Sequence, residues 1–139
     1  MSRSAPRFAG RSLKPFRRPW LWAGLWIAAV AAVCVASLVP PSSLPSVPAG
    51  TDKLEHLVGY ALLAAGAVQV FGRRLSLLSA CVALALMGVG LEYLQGQMGL
   101  GRAMDTRDAL ANTFGVLAGL ATQFTRWRDA LLRFDKRRS

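Results

Sequence analysis

Asp52, His56 and Tyr60 stand at i, i+4 and i+8, a spacing that puts all three on one helix face. A carboxylate one turn from an imidazole can orient it, and an oriented imidazole is a general acid or base near neutral pH. Lys53, three residues before His56, adds a cation to the same turn. His56 is the only histidine in the chain. Further along, Glu92 and Gln95 are i, i+3, and Asp105, Asp108 and Asn112 are i, i+3, i+7. Gly115 and Gly119 prolong that last stripe, and small residues four apart let two helices approach closely. Gly88 and Gly90 read as packing glycines.

Three chemistries fit these types. Lys53, Arg102 and Arg107 can clamp a phosphate or pyrophosphate, aided by two helix N-termini that point the same way. His56, oriented by Asp52, then serves as acid or base, with Glu92 and Asp108 as partner carboxylates. Alternatively, His56, Glu92 and Asp108 can hold a divalent metal, although no spacing here is diagnostic and a lone histidine disfavours zinc. A proton relay is the third, but the other half of these helices offers no relay partner. The plainer account is structural. Asp52 with Glu55, and Asp105 with Asp108, can cap helix N-termini. His56, Glu92 and Asn112 can form a hydrogen-bond network that locks helices together. Tyr60 alone reads as a packing or interfacial residue.

The elements that carry these residues are apolar. The 139 residues suit one domain, 53% of them hydrophobic and only 17% charged. Trp20 to Val39 contains no charge, and about 20 helical residues cross a hydrocarbon core. It is expected to be an uncleaved span; a signal peptide is its rival. Trp20, Trp22 and Trp26 suit one interfacial end of it. Four prolines in 40–50 forbid a helix there. Further spans are expected over about 54–71, 75–94 and 108–124, flanked by tails 1–19 and 125–139. The first tail is expected to be disordered, and the second to continue as a short surface helix. QGQMGLGRAM reads as a glycine-containing loop. Cys34 and Cys81 lie within apolar runs and read as small core residues.

Charge sets the orientation. Fourteen of the seventeen Lys/Arg residues lie in the two tails and at Arg73 and Arg74. Positive loops stay inside, so both tails and that turn are expected in the cytoplasm. The same distribution accounts for the net charge of +10 without nucleic acid, and the bilayer is the expected partner. Five of the seven acids then fall at the outer end, together with His56, Gln95 and Asn112.

DKLEHLVGYALLAAG, GLEYLQ and GRAMDTRDALANTFGVLAG resemble the VanZ-like family of small bacterial integral membrane proteins. The matching positions are Asp52, Lys53, His56 and Tyr60; Glu92 and Gln95; and Arg102, Asp105, Asp108, Asn112, Gly115 and Gly119. The resemblance covers about residues 50–122. It implies a multi-pass protein of the bacterial inner membrane with an outward polar site. The family takes its name from a protein that raises resistance to the glycopeptide teicoplanin, and it supplies no reaction. The expectation is an all-α membrane protein, a four-transmembrane-helix bundle with both termini cytoplasmic. Its site would take an anionic envelope component, such as a lipid-linked phosphate or cell-wall precursor. Asp52, His56, Glu92 and Asp108 would form the reactive set. Lys53, Arg102, Gln95, Asp105, Asn112 and Tyr60 would contact the ligand. The alternative is a non-enzymatic interaction protein whose polar cluster fixes helix packing.

Overall fold

The computed structural model describes residues 12–40, 43, 45, 46, 48, 50–99 and 104–138. They form five α-helices: α1 Pro19–Leu38, α2 Thr51–Val70, α3 Arg74–Met98, α4 Thr106–Ala121 and α5 Ala130–Arg137. Two 3₁₀ turns, Thr122–Phe124 and Arg126–Asp129, link α4 to α5. No strand occurs among the described residues; Leu13 and Phe71 make one isolated bridge.

Local chemistry sets the helix ends. Pro19 sits in the first turn of α1, where its missing N–H costs nothing. The helix stops at Leu38 because Val39 precedes Pro40 and is driven to an extended conformation, φ −70° and ψ 134°. Gly50 at φ 93° opens α2, so the N-cap is Gly50 and not Asp52, which lies inside the first turn. Asp105 does cap α4, its side chain accepting the Arg107 N–H at 2.9 Å. Gly99 ends α3 at φ 62°, a left-handed conformation suited to glycine. α3 therefore runs past Leu94 into the stretch expected to be a loop. Gly96 lets Met104 lie against it, since a Cβ there would come within 3.1 Å of the Met104 Cβ.

The four long helices pack up-down-up-down. Trp26 on α1 donates its indole N–H to the Leu63 carbonyl on α2 at 2.9 Å, and its ring fills the space left by Gly66. α2 and α4 lie side by side with the same direction. A Cβ on Gly115 would strike the Leu57 carbonyl, and one on Gly119 the Ala61 carbonyl. Backbone meets backbone there, which the small-residue stripe on α4 permits. α2 supplies Tyr60, Leu63, Ala64, Ala67 and Val68 to the core, α3 supplies Leu77, Cys81 and Leu84, and α4 supplies Val116. α1 and α3 are long and apolar enough to cross a membrane by length and composition. α1 is apolar on every side, yet none of its residues is buried.

Residues 12–18 and 125–138 meet at the opposite pole from the polar stripes. Residues 12–18, expected to be disordered, are packed: Phe16 is buried, and the Lys14 N–H donates to the Val70 carbonyl at 2.9 Å. Asp135 on α5 accepts the Arg17 backbone N–H at 2.6 Å and the Trp22 indole N–H at 2.9 Å. Those two donors, the indole first, hold its carboxyl below the ordinary aspartate range. Lys14 bonds to Asp129 at 2.9 Å and lowers that carboxyl as well. On α2, Gln69 donates to the Trp127 carbonyl at 2.8 Å and accepts the Leu131 N–H at 3.0 Å. Residues 1–11 of the expected tail lie outside the described residues.

Candidate functional site

The end of the bundle where α2 and α4 begin collects the polar stripes. His56 lies about one turn into α2, with its side chain largely enclosed at 12% exposure. Its Nδ1 is 2.9 Å from the Asn112 side-chain oxygen on α4. With that oxygen as acceptor, Nδ1 carries a proton, and in the neutral imidazole Nε2 is then the acceptor. Nε2 faces two carboxylates, Asp52 Oδ1 at 3.8 Å and Glu92 Oε1 at 4.0 Å. Both separations are too long for direct hydrogen bonds.

The burial of this cluster is uneven. Asp52 is exposed at the rim, while Glu92 and Asn112 are among the most fully buried side chains of the described residues. Asp108 is also buried, at 8% exposure, and its Oδ1 has no hydrogen-bond partner among the described residues. An unsatisfied buried carboxylate oxygen is costly. Asp52, His56 and Asp108 each offer one ligand atom, all three within 4.8 Å of one another. Three helices thus converge here, as the shared depth of their stripes predicted.

Glycine makes the convergence feasible. A Cβ on Gly88 of α3 would lie 3.0 Å from the Asn112 Cβ and 3.3 Å from the Tyr60 ring. Tyr60 is buried at 2% exposure, one turn below His56, in the core of the bundle. Gly90, by contrast, faces open space and packs against nothing.

Other expected site residues are placed differently. Gln95 is buried but turns to α1, donating to the Ser37 carbonyl, so it ties α3 to α1 and does not join His56. That carbonyl is available because α1 ends there, a partner no i, i+3 spacing could reveal. Lys53 is exposed and pairs with Asp105 Oδ2 at 3.6 Å. Arg102 lies outside the described residues.

Two depressions flank the cluster. One, of about 330 Å³ between α1 and α2, is bordered by Ser37, Asp52, Glu55, His56 and Tyr60. The other is a groove between α2 and α4. Lys53 and Arg107 stand at it with Leu54, Leu57, Leu110 and Phe114. Leu54, Leu110 and Phe114 are more than half exposed. Sequence reasoning missed these three, because exposed leucines in an apolar helix carry no signal until the neighbouring helix is fixed.

Chemically, the arrangement presents an imidazole oriented by an amide, with its Nε2 toward carboxylates, beside a groove with two cations and apolar walls. Comparison of the chain with protein-family models, with curated proteins and with solved structures gives no match.

Proposed function

We propose that this chain is a four-span, VanZ-like protein of the bacterial inner membrane, with both termini cytoplasmic. On this reading its polar site faces outward and binds or modifies an anionic, lipid-linked envelope component. α1, α2, α3 and α4 are the spans, and the basic ends cover the cytoplasmic pole. The wide apolar exterior supports lipid contact. Ile27, Val35, Leu62, Val82, Leu86 and Leu117 are all more than half exposed, and broad apolar exposure suits contact with lipid.

The observation that carries the ligand class is the α2–α4 groove. Lys53 and Arg107 offer charge for a phosphate, while Leu54, Leu57, Leu110 and Phe114 offer a wall for a hydrocarbon chain. One amphiphile satisfies both halves. The N-termini of α2 and α4 lie at the same end and favour an anion there. His56 and Asp52 on α2, Asp108 on α4 and Glu92 on α3 lie at the same end and supply the groups for proton transfer.

A binding assay tests this. The protein in nanodiscs is titrated with a fluorescent polyprenyl phosphate and with the matching polyprenol. The phosphate is expected to bind at least tenfold more tightly, with the preference lost in Lys53→Ala/Arg107→Ala. Equal affinity for the uncharged polyprenol overturns the reading.

The structural alternative has its own support. The His56–Asn112 bond and the Gln95–Ser37 bond both join helices, as a packing lock would. In that case the cluster serves assembly, and its loss lowers abundance.

A further inference from the structure

The cluster around His56 is poor in cations. Three carboxyl groups, Asp52, Glu92 and Asp108, converge on one imidazole, while the nearest lysine, Lys53, stands at the α2–α4 groove, 3.6 Å from Asp105. An anion placed directly there meets like charge. A cation meets a prepared site.

We propose that Asp52, His56 and Asp108, with Glu92 beside them, bind one divalent cation. Three observations converge. The Nδ1 of His56 is held by the Asn112 side-chain oxygen, which aims Nε2 at the carboxylates. Metal-bound imidazoles are oriented in this way, by a hydrogen bond to the ring nitrogen that does not ligate. The Nε2–carboxylate separations of 3.8 and 4.0 Å are too long for hydrogen bonds. The 3.8 Å separation from Asp52 does match two ligands on one ion, since bonds of about 2.1 Å put cis and trans partners roughly 3.0–4.2 Å apart. Finally, Asp108 is buried with one oxygen unpartnered among the described residues, and one of its oxygens lies within 4.8 Å of both other ligand atoms.

The donor set names the class of ion. One imidazole with carboxylate oxygens, and no thiolate, suits a borderline-hard ion such as Mn²⁺. Three protein ligands leave positions open for water or for phosphate oxygens. The inference stands without the envelope-ligand reading. A cation held here would also let a phosphate approach the acidic cluster.

The test uses the full-length protein in a phosphate-free, uncharged detergent, titrated with Mn²⁺ and followed by loss of the free-ion EPR signal. Saturation at one Mn²⁺ per chain is expected, with a ¹⁴N coupling in the pulsed spectrum from His56. Asp108→Asn and Asp52→Asn are each expected to weaken binding at least tenfold. Asn112→Ala, which removes the orienting partner, should weaken it about 10–100-fold. Glu55→Gln, on the same rim but outside the set, should leave it unchanged. Asp52 is exposed, so its variant is expected to fold even if Asp108→Asn does not. Non-saturating uptake, absence of the ¹⁴N coupling, or equal losses in Asp52→Asn and Glu55→Gln would overturn the proposal. Because no lipid phosphate is present, failure here leaves the polyprenyl phosphate result standing.

Discussion

The Nδ1 atom of His56 lies 2.9 Å from the side-chain oxygen of Asn112, and this one contact joins α2 to α4 at the level of the polar site. It forms because the helices touch through glycine directly below it. Gly115 rests on the Leu57 carbonyl, one residue beyond His56 and one turn below Asn112. Site and packing are therefore one structure, and substitutions can separate their contributions.

The glycine seam is tested first. Gly119→Ala puts a methyl against the Ala61 carbonyl and within 2.7 Å of the Ala64 Cβ. Neither neighbour can rotate away, so α2 and α4 must separate. A loss of about 1–3 kcal/mol is expected. Gly59→Ala meets nothing within 4 Å, and should be neutral or gain up to about 1 kcal/mol from helix propensity. Thermal midpoints in detergent distinguish the two. Equal midpoints contradict the packing described here.

Removing the orienting amide has a different signature. Asn112→Ala leaves the His56 Nδ1 without its partner and opens space beside Gly88. Stability is expected to fall by about 1–3 kcal/mol. Asn112→Asp keeps an acceptor at that position, so it should preserve the histidine ¹⁵N pattern of a protonated Nδ1, which the alanine variant loses. An unchanged pattern in Asn112→Ala argues that something else fixes the tautomer.

The clamp between the chain ends depends on pH in a defined direction. Asp135 has its carboxyl lowered by the Trp22 indole and the Arg17 N–H. A lowered folded-state value means that the clamp contributes fully above the unfolded value of 3.8. The contribution is lost as pH falls through the still lower folded value. The Trp22 indole N–H resonance should therefore hold steady from neutral pH down to the ordinary aspartate range and move only below it. In Asp135→Asn the carboxylate is gone, and the acid transition of this resonance should vanish. A wild-type transition near pH 6 contradicts this assignment.

Topology gives a fourth expectation. Reporters fused after residue 139 and within 72–74 should both be active only in the cytoplasm. One inserted within 40–50 should be active only outside. A reporter after 139 active only outside contradicts the four-span reading.

Much of this architecture is legible in the chain because apolar blocks, prolines and glycines act locally. Trp20–Val39 and the prolines after it predict α1 to within a residue at each end. The i, i+4 and i, i+3 stripes put Asp52, His56, Glu92, Asp108 and Asn112 at one end, and the structure brings them together. What the sequence hides depends on partners distant in the chain. Gln95 has an inward spacing but finds Ser37. Residues 12–18 look like a polar tail because their order comes from Asp135 and from the end of α2. The cap of α2 is misread because Asp52 and Glu55 imitate a capping box, while Gly50 supplies the left-handed turn.

The most direct test of the central claim compares wild type with His56→Ala, Glu92→Gln and Asp108→Asn in a bacterium lacking its own copy. Each strain is scored for membrane abundance and for sensitivity to teicoplanin. A functional site predicts wild-type abundance with lost protection in all three. Abundance that collapses in all three, or a wild type that protects against nothing, contradicts it.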